Sequence, residues 1–376
     1  MSAIPGFETV SRKEMDRFSL SGEVAAVRAE KGGITFRGRL HDGYSLNLNL
    51  ATANRILLRI HHFRATNFRQ LTKQLVAIDW ELYLPPGCPF SVRVALHHSR
   101  IYHSGAVQDL AARIVQTALK KYAQANIQTT GSRVGIPQCI YIRGEHDRFL
   151  VSLDSSGENL HKRGLRKSGG KAPIRETIAA AVLQLAGYTG EQVLMDPMCG
   201  SGTFSLEAAR MARATPPGWF RSFSFQDWPA FQPGRWQDIR RTAEQKIVPQ
   251  PKAAIFASDR SRKGCHLLKQ TLLAADMRPG VDIRPGDFFS IDPQKVSPEP
   301  GVVVINPPYG IRLGNRQSAG RFYYQVVAKL DADYRGWTAA IIAPDRKLAR
   351  NTPFADRLYP FSSGGLKLTL VVGRIG

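Results

Sequence analysis

No run of the 376-residue chain approaches the roughly 18 to 20 consecutive apolar residues that a membrane-spanning helix needs. The opening stretch MSAIPGFETVSRKEM also lacks the basic region and apolar core of a secretory signal, so a cytoplasmic address with no membrane partner is expected. Cysteine is sparse: Cys88, Cys139, Cys199 and Cys265 lie far apart, with no CxxC and no Cys/His cluster at ligand spacing. That excludes a disulfide framework and a zinc module, and no metal is expected. Acid is short relative to base, 30 Asp and Glu against 52 Lys and Arg, which leaves a net charge of +22. A field of that sign favours polyanions, nucleic acid above all. Internal repeats and low-complexity tracts are absent.

What is present is a globular composition, 43% hydrophobic and 22% charged, in a chain long enough for two or three domains. From Gly22 to Leu50 short apolar runs alternate with glycine-bearing turns and read as strands. ATANRILLRIHHF and FSVRVALHHS read as strands. NFRQLTKQLVAIDWELYL reads as a helix with Leu71, Leu75 and Ile78 on one face, and QDLAARIVQTALKKYAQA as a helix with Leu110, Ile114, Ala118 and Leu119 inward. QCIYIRGEHDRFLVSLD gives two strands around a polar turn, closing an α+β unit near Asp154. A linker follows, residues 155–175, in which Lys162 to Arg175 carry six Lys or Arg and no acid. Its single-signed charge suits a solvated connector and also a strand gripping phosphates through Lys162, Arg163, Arg166, Lys167 and Lys171.

From Glu176 onward strands alternate with helices, which predicts a doubly wound, mostly parallel α/β sheet whose ligands sit at the carboxyl ends of its strands. An aromatic, proline-rich insertion, residues 216–236, interrupts the alternation and is expected to be a cap on the domain edge or part of a substrate surface.

Two motifs carry chemistry. In VLMDPMCGSGTF an apolar strand delivers Asp196 at its tip, Gly200 and Gly202 let the backbone turn tightly against a ligand, and Thr203 opens a helix. With no Gly-Lys-Ser/Thr and no three-glycine fingerprint, phosphate is not the evident guest. An acid at the strand tip fits a ligand with a cationic end. Asp259, in IFASDRS, stands where an acid accepts from ribose hydroxyls, and Asp287, in IRPGDFF, where one can bind an adenine amine. In VVVINPPYG the prolines stop the strand at Asn306 and fix a stiff turn. The Asn306 oxygen and a proline carbonyl, from Pro307 or Pro308, offer acceptors to a planar amine, and Tyr309 a face for a base.

DPMCGSGTF followed by NPPYG resembles the class I S-adenosylmethionine-dependent methyltransferases of exocyclic nucleobase amines. More narrowly, NLHKRG, KAPIRETIAAAVL, DPMCGSGTFSLEAA and NPPYGIRLG are similar to the bacterial and archaeal family that methylates guanine N2 in ribosomal or transfer RNA. The resemblance implies a Rossmann-like methyltransferase domain at 176–376, preceded by a ferredoxin-like segment at 1–50 and a THUMP RNA-binding domain at 51–154. It implies that Asp196, Gly200 and Gly202, with Pro197, Cys199, Ser201 and Thr203 of the same loop, line the methionine end of the donor. Asp259 would hold its ribose and Asp287 its adenine amine, with Asn306, Pro307 and Tyr309 at the target guanine. The large-subunit rRNA enzyme of enteric bacteria carries a second methyltransferase domain, so a chain whose last residue is Gly376 is expected to be the single-domain form, for which rRNA and tRNA substrates both occur. No obligate protein partner is expected. NPPY alone leaves adenine or cytosine amino methylation open, and a non-catalytic RNA-binding assembly factor is the rival of another class.

Overall fold

The computed structural model describes residues 1–17, 28–30, 32–125, 135–165, 174–249, 254–308 and 316–376. The chain opens with helix α1 (Glu8–Asp16), a hairpin of β1 (Arg28–Glu30) and β2 (Gly33–Thr35), and helix α2 (Leu40–Asn49). The alternation of Tyr44, Leu46, Leu48 and Leu50 predicts a strand where α2 stands. Two causes override it. The Asp42 carboxylate accepts the Arg39 N–H at 2.7 Å and closes the first turn. The helix also lies between two layers, with Tyr44, Leu46, Asn47 and Leu48 all buried, which erases the one-sided helical period. Residues 22–27 and 31 of the strand reading lie outside the described residues.

A four-stranded sheet follows: β3 (Leu57–Arg64), β4 (Phe90–His97), β5 (Gln138–Glu145) and β6 (Arg148–Asp154), in the order β3-β6-β5-β4. Only β4 and β5 are parallel, and helix α4 (Ser104–Ala125) supplies the crossover that parallel pairing requires. Helix α3 (Phe68–Val76) starts at Asn67, whose side chain accepts the Gln70 N–H, and stops well short of the predicted end; Trp80–Leu82 forms a separate 3-10 turn. Leu71, Leu75 and Ile78 are buried as expected. On α4 the buried row is Val107, Ala111, Val115 and Leu119, with Leu110, Ile114 and Ala118 only partly buried beside it. The predicted face is thus rotated by one residue. Between β5 and β6 the chain turns at His146 and Asp147, both with positive φ (51° and 61°), the pair of left-handed residues that a two-residue hairpin demands.

The remaining elements are α5 (Glu176–Leu185), β7 (Leu194–Asp196), α6 (Thr203–Ala212), α7 (Pro233–Glu244), β8 (Ile255–Asp259), α8 (Arg262–Ala274), β9 (Val281–Pro285), α9 (Pro293–Val296), β10 (Val302–Ile305), α10 (Arg316–Asp333), β11 (Thr338–Ala343), α11 (Arg346–Arg350), β12 (Arg357–Ser363) and β13 (Leu366–Arg374). They build a doubly wound sheet in the order β12-β13-β11-β10-β7-β8-β9, parallel from β11 to β9, with β13 and β12 antiparallel at one edge. Its inner strands β10 and β11 are almost wholly apolar and buried because both faces are covered. Val302 and Val304 pack with α5, α6 and α8, whereas Val303 and Ile305 pack with α10. The strand β12, RLYPFSS, escaped prediction because its proline and polar residues suit only an edge. Chain connections diverge between β7 and β10, the place where a crevice opens in such sheets.

The insertion is more than an edge cap: it packs into the core beside the four-stranded sheet, where Phe225 and Trp228 also line a surface concavity. Phe223, Phe225, Trp228 and Trp236 are buried in the same core as α2 and the four-stranded sheet. Tyr44 stacks on Phe225 at 4.4 Å, Trp236 meets Phe225 edge-on at 5.3 Å, and the Trp228 indole N–H donates to Gln138 at 3.0 Å. Helix α1 ties the regions from the other side: Phe7 stacks on Phe361 at 4.9 Å, while the Glu14 carboxylate accepts the Ala51 and Thr52 N–H groups. Phe225→Ala is expected to cost about 3–5 kcal/mol, the usual range for emptying a buried aromatic site, seen as a lower urea midpoint in tryptophan fluorescence.

Candidate active site

A cleft of about 680 Å³ opens at the carboxyl ends of β7, β8, β9 and β10. It brings together residues from every strand tip singled out in the sequence. Pro197, Cys199, Gly200, Ser201 and Thr203 line it from the glycine loop, Asp259 and Asp287 from the next two strands, and Asn306 and Pro308 from β10. Three named residues stand back from its surface: Asp196, Gly202 and Pro307 are not among the lining groups. Tyr309 lies outside the described residues.

The glycines divide the work. Gly200 and Gly202 both have positive φ, 55° and 79°. A Cβ on Gly200 would meet nothing within 4 Å, so this glycine keeps backbone bare. A Cβ on Gly202 would strike Leu268 of α8 at 2.3 Å, so this one lets the loop pack. Gly264 completes the contact, since a Cβ there would sit 2.4 Å from the Gly200 carbonyl oxygen. A glycine in the first turn of a helix carries a propensity cost of about 1 kcal/mol and so signals a close approach; sequence reading passed over it.

Asp259 fastens the loop. One carboxylate oxygen accepts the Gly200 N–H at 2.8 Å and the other the Ser261 N–H at 2.8 Å. Each oxygen keeps a second lone pair for a ligand hydroxyl. Asp287 accepts the Phe289 N–H and a 2.6 Å bond from the exposed Arg260 guanidinium, which holds its carboxyl below the ordinary range. Asn306 closes the far wall, and its Oδ1 is buried with no hydrogen-bond partner among the described residues. Between Asp287 and Asn306 run two rings that the sequence did not mark, Phe289 and Phe322, edge to face at 5.9 Å. Helical periodicity gives a ring on α10 no distinguishing sign.

The adenosyl sulfonium donor that the resemblance implies has a fitting chemistry of partners here: bare backbone at Gly200, two carboxylates on successive strand tips, and aromatic walls. Among the described residues no group of three or more His, Cys, Asp or Glu is placed to hold a metal ion.

Of the basic linker residues, Lys162 is exposed and pairs with Glu158 at 2.6 Å. Arg163 is a correction. Its side chain is 4% exposed, clasps Glu207 of α6 through two bonds of 3.0 and 3.2 Å, and donates to the Ala51 and Leu160 carbonyls, so no face is left for a phosphate. Arg166, Lys167 and Lys171 lie outside the described residues.

Asp196 is fully buried and accepts from the Ser205 hydroxyl at 2.6 Å and the Ser205 N–H at 3.2 Å, tying β7 to the first turn of α6; its other oxygen has no partner among the described residues. Burial pushes its carboxyl up to about 7 despite those bonds. A folded-state value above the unfolded one means that the folded form holds the proton longer. Its contribution to stability is therefore complete below the unfolded value of 3.8 and is lost as pH rises through about 7. Asp196→Asn is expected to flatten the fall in melting temperature between those limits; an equally steep fall in the variant would contradict the assignment.

Residues 163–355 match the family model described as the RMKL-like methyltransferase domain, and residues 1–57 match the RlmL ferredoxin-like domain. The protein slr0064 of Synechocystis sp., which carries a provisional RNA-methyltransferase name, is 30% identical over 97% of this chain and 94% of its own length. The ribosomal RNA large subunit methyltransferase K/L of Methylococcus capsulatus is 30% identical over 98% of this chain and 50% of its own length, so the chain spans about half the length of that relative. Among solved structures, SMU.472, provisionally named a methyltransferase and crystallised with S-adenosylhomocysteine, superposes with a TM-score of 0.86 at 26% identity, covering 100% of this chain and 97% of that one. With the glycine loop, the strand-tip acids and the NPP turn gathered on one cleft, the chain belongs to the RMKL-like methyltransferase family.

Proposed function

We propose that this protein transfers the methyl group of S-adenosylmethionine to the exocyclic N2 amine of a guanosine in structured RNA, ribosomal or transfer. The observation that carries the reading is the Asn306 Oδ1, a buried acceptor in the cleft with no donor of its own among the described residues. Such an atom costs about 1–3 kcal/mol until an N–H reaches it. An exocyclic amine supplies one.

Bound S-adenosylmethionine contributes an electrophilic methyl on a sulfonium, so the chain's task is chiefly placement. The glycine loop and Asp259 seat the donor on one side. On the other, Asn306 and a proline carbonyl accept from the two amine protons and orient the nitrogen lone pair towards the methyl. Nitrogen gains a positive charge as the N–C bond forms and the C–S bond breaks, and the same acceptors strengthen as it does. The proton leaves to solvent after transfer. Phe289 and Phe322 offer faces to the base, which must be unpaired or flipped to enter.

The RNA assignment is supported by the name of the K/L relative, by the +22 charge, and by a second concavity of about 1250 Å³ on the open face of the four-stranded sheet. Arg37, Arg59, Arg93, Arg143 and Arg148 line it around Tyr141, with Glu30 the one acid among its lining residues. The THUMP-like region, residues 51–154, is the proposed RNA anchor, its affinity falling steeply with salt.

Labelled donor, presented with total RNA and with DNA and followed by nucleoside analysis, tests the proposal. Label is expected in N2-methylguanosine from RNA. Label in N6-methyladenosine would move the activity to adenine, and no label would leave a binding factor. Asn306→Ala is expected to lower the methyl-transfer rate by about a hundredfold, as for loss of one preorganised hydrogen-bonding group, with donor affinity nearly unchanged in calorimetry. An unaltered rate would remove Asn306 from the mechanism.

A further inference from the structure

The first part of the linker, residues 155–162 directly after β6, has no regular structure, yet almost every carbonyl along it is held. Arg221, from the insertion, donates to four of them: Ser156 and Glu158 through one terminal nitrogen at 2.9 and 2.7 Å, Asn159 and Lys162 through the other at 2.8 and 2.9 Å. Its guanidinium lies 5.1 Å from the centre of the Phe223 ring. The Ser155 carbonyl accepts the Phe225 N–H, Gly157 accepts from Arg55, and Leu160 from Arg163. Burial and the neighbouring Arg163 and Arg55 cations lower Arg221 to about 10, so it stays protonated at neutral pH. Two glycines permit the embrace. A Cβ on Gly157 would sit 2.7 Å from the Ser224 hydroxyl, and one on Gly164 would sit 2.1 Å from the Phe220 carbonyl oxygen.

The held segment leads directly to the donor loop. Arg163 follows it and grips Glu207, one turn along the helix α6 that opens at Thr203. At the linker's far end, Ile174 lines the catalytic cleft. The insertion that carries Arg221 is itself buried in the core of the N-terminal region. Four charge-assisted bonds from one arginine hold these backbone carbonyls in place.

We infer that Arg221 is a positioning residue for methyl transfer. It fixes the 156–162 segment, and through it the N-terminal region, against the helix that carries the donor loop, so that RNA anchored on one presents a single nucleotide to the other. The inference rests on the proposed RNA substrate. It assigns the insertion a role in selecting the nucleotide.

The test compares the full-length protein with Arg221→Ala and Arg221→Lys, the second keeping the charge but not the fork. Amide exchange across residues 156–162 is expected to accelerate at least about tenfold in the alanine variant, as backbone bonds that were fixed open locally. Donor affinity should stay within about twofold and KM for RNA within about threefold, while kcat falls by about tenfold or more, since a misplacement of about 1 Å is enough for that. Mapping should find methyl groups on guanosines flanking the native site, with the lysine variant intermediate. A folded alanine variant with native kcat and a single native site overturns the inference, and so does a loss of donor affinity that matches the loss of rate. If the alanine variant fails to fold, the lysine variant decides by the same criteria. If the native protein labels no RNA, the substrate reading falls separately; exchange then decides, and native protection of 156–162 in either variant overturns the role of Arg221.

Discussion

How closely the chain after β7 approaches α8 sets the floor of the cleft. Gly202 admits the Leu268 side chain, Gly264 admits the Gly200 carbonyl, and Asp259 pins the Gly200 N–H from the neighbouring strand. A Cβ at either packing glycine falls inside contact distance, against the Leu268 side chain at Gly202 and against backbone at Gly264, so the approach depends on both. Only when it is made does bare backbone at Gly200 face the cleft with the Asp259 carboxylate beside it. The Asp196 carboxyl, paired with Ser205 at the start of α6, holds the same turn from beneath. Its burial explains why an acid so close to a cationic ligand's expected place lines no part of the cleft: it acts on the loop, and the loop lines the cleft.

The same economy joins the regions of the molecule. Aromatic side chains from the insertion supply core to the four-stranded sheet and α2, α1 supplies core to the doubly wound sheet, and a buried Arg163–Glu207 pair spans the seam. A buried pair is costly unless its remaining groups are satisfied. Here Arg163 uses its other N–H groups on the Leu160 and Ala51 carbonyls, and Glu207 also takes Arg210. Attraction to these two cations outweighs the burial that would raise Glu207, and its carboxyl lies below the usual range. The seam is therefore specific in direction as well as in contact, which hydrophobic packing alone would not make it.

Much of this was legible in the sequence where one residue type has a narrow physical meaning. Prolines after an apolar run end a strand, paired glycines after one bare a loop, and acids at successive strand tips converge because the strands are parallel. The strand-tip cleft follows from these three. What was illegible depends on neighbours distant in sequence. Alternation at Tyr44, Leu46 and Leu48 reads as a strand until the second covering layer, the insertion itself, is known. Arg163 reads as a phosphate ligand because composition records charge and not burial. Phe289 and Phe322 look like any core phenylalanine. Gly264 alone left a usable sign, a glycine in a helix where alanine would be better.

Among the described residues the Asn306 oxygen has no hydrogen-bond donor, and the two prolines that follow it bring no backbone N–H of their own. Neither proline can satisfy the group, and on the proposed mechanism Oδ1 is left for the arriving amine. A neutral amide suits the task better than a carboxylate. It binds an uncharged amine without drawing a counterion or a solvent shell into the cleft beforehand. On the proposed mechanism the attacking nitrogen acquires charge and its N–H groups become stronger donors, so a bond to Asn306 would gain most at the transition state. Interaction that grows along the reaction raises turnover and not merely affinity, so the proposed role of Asn306 would show in rate more than in donor binding.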